Sequence, residues 1–252
     1  MEENKIIDGK AISKQILSEI KDRLSSSKIT PGLAFILVGN NPASGVYVRM
    51  KGKACDELGY YSVTDKLHEN ISESELLERI SEYNSNEKIH GILVQLPLPK
   101  HIDEMKIIEK IDYRKDVDGF HPVNAGRMVI GEKCFIPCTP AGIIEILVRS
   151  GIQTEGKNAA VIGRSNIVGR PVAILLMRKN KNANCTVTVC HSATVNISEH
   201  TKKADIIIAA IGKANYLKSN MIKENCVIID VGINRIEDKT SKSGYKIVGD
   251  VD

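Results

Sequence analysis

The sequence predicts an α/β protein with two domains, both built on mainly parallel sheets. Short apolar runs of strand length alternate with longer segments of helical periodicity along almost all of the 252 residues. The strand-length runs are apolar at nearly every position, which is typical of parallel strands covered by helices on both faces. The chain is also long enough to bury the core of one large or two modest domains.

In the first half of the chain, strand and helix patterns follow each other closely. LAFILVG (33–39) is predicted as a buried strand, and Ser44 is the predicted N-cap of the helix after it. A Ser72/Glu75 capping box begins another helix, and KDVDGFHPVNAG (115–126) is predicted as a loop. The remaining predicted elements are helices over 8–27, 103–112 and 139–151 and strands over 61–69 and 90–95.

The second half continues the alternation in the order expected of a Rossmann-type dinucleotide-binding domain. We place the domain boundary near residues 140–150, so that one domain covers 1–140 and the other 141–252, with the active-site cleft between them. The predicted strands are 158–163, 186–192, 205–212 and 227–234, and the predicted helices are about 167–179 and 197–204.

Composition narrows the class of protein. The net charge of +4 is mild and spread along the chain, which does not indicate nucleic-acid binding and is compatible with an anionic small molecule. The N-terminus is polar and no apolar run approaches ~18 residues, so neither a signal peptide nor a membrane span is expected. The six cysteines form no CxxC pair and the six histidines are scattered, which favours a cytoplasmic protein with reduced thiols and no metal site.

A glycine-bearing turn lies between a predicted strand and helix in NAAVIGRSNIVGRP. Gly163 and Gly169 bracket the turn, and Ser165 replaces the middle glycine of the usual GxGxxG pattern. Such a turn lets backbone and a helix N-terminus approach a pyrophosphate. A tight turn with no ligand is the alternative on this stretch alone.

The residues around this turn favour NADP over NAD. The next strand ends in VCHS without the acidic residue that accepts from a ribose 2′-hydroxyl, whereas Arg164 and Ser192 could meet a 2′-phosphate. Arg164 could equally be a solvated side chain. Gly212 and the DVGIN motif (230–234) end later strands where backbone could line the nicotinamide, although glycines commonly end strands.

A tyrosine, a lysine, an amide and a carboxylate of the first half are expected at one edge of its sheet. Tyr47 and Lys51 share a helical face just after one strand, Gln95 ends another, and Asp116 and Asp118 follow in KDVDGF. Singly, these could be a surface helix face, a polar strand end and a turn. Tyr-x3-Lys is also the catalytic pair of short-chain dehydrogenases, but there it follows the nucleotide-binding turn, so the order excludes that class.

Several motifs stand in a fixed order along the chain. They are YVRMK (47–51), GILVQLPLP (91–99), KDVDGFHPVNAGR (115–127), IPCTPAGI (136–143), GRSNIVGRP (163–171), DVGIN (230–234) and GDV (249–251). In this order they resemble the bifunctional methylenetetrahydrofolate dehydrogenase/methenyltetrahydrofolate cyclohydrolase family, and the resemblance covers essentially every residue.

The resemblance implies an NADP-dependent enzyme of one-carbon metabolism that serves purine biosynthesis as a cytoplasmic homodimer. It would oxidise 5,10-methylenetetrahydrofolate to the methenyl form and hydrolyse that to 10-formyltetrahydrofolate. Residues 1–140 would bind folate and 141–252 NADP. The catalytic residues would be Lys51, Gln95, Tyr47 and Asp118, with Val94 and Leu96 as further substrate contacts. The cofactor contacts would be Gly163, Arg164, Ser165, Ser192, Gly212 and Ile233.

The residue types suit this chemistry. A lysine that has lost part of its hydration can shuttle protons during hydrolysis, and the Gln95 amide oxygen can hold Lys51 in direction. Tyr47 can stack on the pterin or the aminobenzoate, and Asp118 can accept from the pterin amide and amine.

One departure from the family leaves two other functions open. Family members continue beyond GDV into a PGGVGPMT-like loop and a closing helix, whereas this sequence ends at Asp252. Part of the folate and nicotinamide sites is then expected to be unformed. The alternatives are a non-catalytic nucleotide-binding relic and another two-domain NADP-dependent dehydrogenase, such as a shikimate-dehydrogenase-like protein.

Overall fold

The computed structural model describes residues 6–241 and 244–252. It divides into two compact units, one ending at Ile136 and the other beginning at Pro137. The predicted boundary after residue 140 lies within the first turn of a helix that begins at Cys138.

The first unit is built on a three-stranded parallel sheet. The strands β1 (Gly32–Val38), β2 (Tyr61–Leu67) and β3 (Gly91–Val94) lie in the order β2-β1-β3, all parallel. The helices are α1 (Gly9–Ser25), α2 (Pro42–Leu58), α3 (Glu73–Ser85), α4 (Glu104–Lys110) and α5 (Pro122–Ile130).

The central strand β1 explains why its sequence is continuously apolar. Ala34, Ile36 and Val38 lie in a buried cluster with residues of α3 and α4, whereas Phe35 and Leu37 pack in a second cluster with residues of α2. Both faces of the strand are therefore covered, so no position along it favours a polar side chain.

The second unit is built on a four-stranded parallel sheet and a hairpin. In the sheet, β4 (Asn158–Ile162), β5 (Thr186–Cys190), β6 (Ile206–Ala209) and β7 (Val227–Asp230) lie in the order β5-β4-β6-β7. The antiparallel hairpin joins β8 (Asn234–Glu237) and β9 (Tyr245–Val248). The helices are α6 (Cys138–Arg149), α7 (Gly169–Met177) and α8 (Ile197–Thr201), with a 3₁₀ turn at Ser219–Met221.

The predicted α/β class with mainly parallel sheets is confirmed, and the differences are local. Asn41 caps α2 with its side-chain oxygen, so the prediction of Ser44 was wrong. Pro42 stands at the first helical position, and this Asn-Pro start is the signal that places the helix earlier. The predicted loop 115–126 contains the start of α5, and the hairpin was not predicted. The Ser72/Glu75 capping box is present.

Two properties of the described residues bear on function. None of their helices combines the length and the apolar character that crossing a membrane requires. No group of three or more histidine, cysteine, aspartate or glutamate side chains within 6–241 and 244–252 could hold a metal ion.

Candidate active site

The candidate catalytic pair lies at the carboxyl edge of the first sheet. Lys51 is on α2, which follows β1, and Gln95 follows β3, the neighbour of β1. The Nζ atom of Lys51 donates a hydrogen bond to Oε1 of Gln95 over 3.4 Å. Tyr47 lies one turn earlier on α2 with 48% of its surface exposed, so its ring is available to pack against a ligand.

The backbone and side chain of Gln95 are both fixed. Its N–H donates to the carbonyl of Ile36 over 2.9 Å, which continues the sheet pairing one residue beyond β3. Its Nε2 donates to the carbonyl of Leu96 over 2.8 Å, so the amide oxygen is the atom left to face Lys51. Val94, just before Gln95, is buried, and Leu96 is half-buried.

Asp118 lies in the electrostatic field of the same lysine. Burial raises the pKa of its half-buried carboxyl to about 6, the positive charge of Lys51 acts to lower that pKa, and the negative charge of Asp116 acts to raise it. A carboxylate with this pKa is ionised at neutral pH but poorly compensated within the protein. It is therefore suited to accept hydrogen bonds from a ligand.

Asp116 is buried and supports the loop. Its side chain is 2% exposed, and Oδ2 accepts from the backbone N–H of His121 and from Nδ2 of Asn124, each over 2.8 Å. Asn124 also donates to the carbonyl of Tyr113 over 2.8 Å. The carboxylate of Asp116 thus ties the loop to the first turn of α5, two residues before Asp118.

Lys115 is a second support that the sequence did not reveal. Its ammonium donates three hydrogen bonds of 2.7–3.2 Å to backbone carbonyls at the carboxyl end of α3. Its own carbonyl accepts from the N–H of Ile92 in β3 over 2.7 Å. The three carbonyls belong to Tyr83, Asn84 and Asn86. Lys115 thereby fixes the start of the loop that carries Asp118 against a helix end and a strand.

In the second unit, the turn between β4 and α7 tolerates only glycine at two positions. Gly163 has φ +125°, and a Cβ there would collide with the carbonyl oxygen of Ala210. A Cβ on Gly169 would collide with the carbonyl oxygen of Gly163. Backbone atoms therefore approach closely on both sides of the turn, which leaves a cradle suited to a pyrophosphate.

Ser165 closes this turn in place of the usual middle glycine. Its Oγ accepts from the N–H of Val168 over 3.2 Å and from that of Gly169 over 3.4 Å. The side chain of Arg164 is exposed, as is that of Ser192. The two lie after neighbouring strand ends, because the N–H of Gly163 donates to the carbonyl of Cys190 over 2.8 Å.

The other two candidate cofactor residues follow β6 and β7, which are also neighbours in the sheet. Gly212 has φ +70° and is exposed, and Ile233 is 69% exposed. The structure thus brings all the predicted cofactor residues to the carboxyl edge of one sheet, which is where α/β sheets bind ligands.

Comparisons with known proteins place this geometry in a family. Residues 7–118 match the model of the tetrahydrofolate dehydrogenase/cyclohydrolase catalytic domain, and residues 137–252 match the model of its NAD(P)-binding domain. A "Bifunctional protein FolD" from Chloroherpeton thalassium is 54% identical, and the match covers 98% of this chain and 86% of that protein.

Two solved structures are similar throughout. The bifunctional methylenetetrahydrofolate dehydrogenase/cyclohydrolase of Campylobacter jejuni is 50% identical with a TM-score of 0.90, over 98% of this chain and 85% of that one. The Trypanosoma brucei dehydrogenase-cyclohydrolase, complexed with NADP and an inhibitor, is 36% identical with a TM-score of 0.91, over 100% and 86%.

These matches confirm the family that the sequence motifs resemble and the nicotinamide class of the cofactor. They support neither alternative function. Both family models match in the expected order, and together they span most of the residues. The chain belongs to the tetrahydrofolate dehydrogenase/cyclohydrolase family.

Proposed function

We propose that this protein oxidises 5,10-methylenetetrahydrofolate with NADP and hydrolyses the 5,10-methenyltetrahydrofolate formed to 10-formyltetrahydrofolate. The observation that carries the proposal is the hydrogen bond from Lys51 to Gln95 beside the half-buried carboxylate of Asp118. This arrangement lies in the unit that matches the family's catalytic domain.

Lys51 is proposed to move the protons of the hydrolysis. Water adds to the methenyl cation and loses one proton, a carbon–nitrogen bond of the ring breaks as its nitrogen gains a proton, and the remaining hydroxyl proton leaves to solvent as the formyl group forms. Lys51 carries a proton between these two positions, and Gln95 directs the amine by accepting from it. Oxidation removes a hydride from a carbon whose two nitrogen neighbours stabilise the cation, so it requires orientation more than a strong base.

Substrate binding is proposed to use the remaining residues of this edge. Asp118 accepts from the pterin amide and amine, an interaction that an ionised carboxylate strengthens. Tyr47 supplies a ring for stacking and Leu96 an apolar contact beside Gln95, whereas the side chain of Val94 packs in the core and supports the strand end.

The cofactor site is proposed at the carboxyl edge of the second sheet. When bound there, NADP supplies the acceptor for the hydride. Gly163 and Gly169 leave room for the pyrophosphate at the positive end of α7, Ser165 holds the turn in that shape, and Arg164 and Ser192 contact the 2′-phosphate. Gly212 and Ile233 lie at the strand ends where the nicotinamide is expected.

The proposal assigns folate binding to residues 1–140 and NADP binding to residues 141–252. We further propose that the protein acts as a cytoplasmic homodimer in one-carbon metabolism. The family membership and the bacterial relatives support this setting.

An absorbance assay tests the proposal directly. Purified protein, given 5,10-methylenetetrahydrofolate with NADP or NAD in parallel, is expected to form NADPH faster than NADH. Loss of methenyltetrahydrofolate absorbance in a separate reaction measures the cyclohydrolase. A folded protein that forms neither reduced cofactor would be the nucleotide-binding relic.

A further inference from the structure

Asp250 is a buried carboxylate that none of the steps above uses. Its side chain is 0% exposed. Oδ2 accepts from the backbone N–H groups of Ile211 and Gly212 over 2.7 and 2.9 Å, and Oδ1 accepts from that of Lys213 over 2.9 Å. Burial of a carboxylate is unfavourable unless donors replace its water, and here three consecutive amides of the loop after β6 do so.

A fourth donor connects Asp250 to the segment after β7. Nδ2 of Asn234 donates to Oδ1 of Asp250 over 2.9 Å, and Asn234 directly follows Ile233. One carboxylate therefore joins the loop that carries Gly212 to the segment that carries Ile233. These are the two candidate residues for the nicotinamide end.

Asp250 is itself held by the end of β7. Oδ1 of Asp230 accepts from the N–H of Asp250 and from that of Gly232, each over 2.9 Å. A Cβ on Gly232 would collide with the Asp250 side chain, so the two segments are in close contact. The carboxylates of Asp230 and Asp250 together thus fix residues 249–251 against the carboxyl edge of the sheet.

We infer that Asp250 is a positioning residue for the dinucleotide, holding the loops after β6 and β7 in the arrangement that binds it. This inference rests on the proposed function, which places NADP at that edge. Asparagine cannot replace the carboxylate, because both oxygens of Asp250 accept from N–H groups. An amide NH₂ would face a donor at one of the two positions.

The main test is Asp250→Asn, with two activities and one binding measurement. The KM for NADP in the dehydrogenase reaction and the Kd for NADPH, measured by fluorescence titration, are expected to rise about tenfold or more. The cyclohydrolase kcat with methenyltetrahydrofolate is expected to stay within about twofold, because its proposed residues lie in the first unit.

Asp205→Asn is the matched control in the same unit. Asp205 also accepts from a backbone N–H, that of Asn158 over 2.8 Å, but it lies at the amino ends of β4 and β6. It also pairs with Lys223 over 2.6 Å. Its replacement is expected to lower the melting temperature while leaving the KM for NADP within about twofold.

Two outcomes would overturn the inference. One is a folded Asp250→Asn protein with unchanged NADPH affinity. The other is an equal loss of both activities, which would show a general structural role. If this variant does not fold, Asn234→Ala decides, with an expected rise in KM for NADP of about threefold and an unchanged KM as the contrary result. Wild-type protein that binds NADPH but does not oxidise the substrate would contradict only the proposed function.

Discussion

The first candidate site is formed by side chains, whereas the centre of the second is formed by backbone. At the edge of the first sheet, side chains face the proposed ligand: the ammonium of Lys51, the amide of Gln95 and the carboxylate of Asp118. At the edge of the second sheet, the cradle proposed for the pyrophosphate is lined by backbone, because a Cβ on Gly163 or Gly169 would collide with a neighbouring carbonyl.

This difference predicts different sensitivities. A site made of charged side chains depends on pH and on the identity of each charge. Ligand binding at a site made of backbone depends on the volume that a substitution adds and on the conformation of the turn. Substitutions that remove charge and substitutions that add volume should therefore affect the two sites separately.

Lys51→Met is expected to have the largest effect. Removal of the proton carrier should lower the cyclohydrolase kcat by roughly 10²–10⁴-fold, while the Kd for NADPH stays unchanged. Lys53→Met is the control, because Lys53 is exposed on the same helix and pairs only with Glu57 at 3.7 Å among the ion pairs found in the described chain. Full cyclohydrolase activity in Lys51→Met would contradict the role of Lys51.

Gly169→Ala adds one methyl group to the backbone-lined site. Since this methyl would collide with the Gly163 carbonyl, we expect a loss of stability of about 1–3 kcal/mol and weaker NADPH binding by on the order of tenfold to a hundredfold. Gly142→Ala is the control, because a Cβ there meets open space on α6. It should leave NADPH binding unchanged and stabilise the helix slightly. Equal NADPH affinity in the two variants would contradict the backbone cradle.

Asp118→Asn tests whether the ionised carboxylate of Asp118 lowers the free energy of unfolding. The folded pKa is raised from 3.8 to about 6, so the native carboxyl releases its proton less readily than the unfolded one. Between about pH 4 and pH 6 the unfolded carboxyl ionises before the folded one, so the free energy of unfolding falls through this range. The full loss is present above about pH 6, and there is none below about pH 4. The variant should weaken folate binding about tenfold and raise the free energy of unfolding by about 1–2 kcal/mol at pH 8 but not at pH 4.

Denaturant unfolding at both pH values makes this measurement. Asp112→Asn is a control of opposite sign, since hydrogen bonds from Arg114 lower the pKa of Asp112. That variant should lose stability at neutral pH, and the loss should disappear as the pH falls through the folded pKa. An Asp118 variant with unchanged folate affinity would show that this carboxylate does not hold the pterin.

Arg164→Gln is expected to have the smallest effect, because its side chain is exposed and solvent screens its charge. The ratio of kcat/KM for NADP to that for NAD should fall about fivefold. Arg170→Gln is the control, since Nη1 of Arg170 donates to Asn166 over 2.7 Å. An unchanged ratio in Arg164→Gln would leave the 2′-phosphate contact to other residues.

The sequence predicted the parts of the fold that local patterns determine. Strands buried on both faces, such as β1 and β6, are continuous apolar runs, and the capping box at Ser72 is a local motif. The hairpin β8–β9 was missed because its strands are short and half-exposed, so their apolar pattern is weak. Helix α5 was missed because its first turn lies within a motif that resembles a loop.

The sites likewise combine features that local patterns predict with features that depend on distant contacts. Lys51 and Gln95 could be placed together because each follows a predicted parallel strand. The roles of Lys115 and Asp250 depend on backbone groups about 30 to 40 residues away along the chain. Backbone amides and carbonyls are present at every position, so the sequence carries no sign of which ones a side chain will reach.

The ammonium of Lys115 also has a consequence for chemical reactivity. Its three N–H groups, the full number that lysine carries, are engaged by carbonyls at the carboxyl end of α3. An ammonium enclosed by three carbonyls is less accessible to an acylating reagent than that of Lys53, whose side chain is open to solvent. The extent of acylation at Lys115 relative to Lys53 therefore measures whether the segment leading to Asp118 is folded against the end of α3.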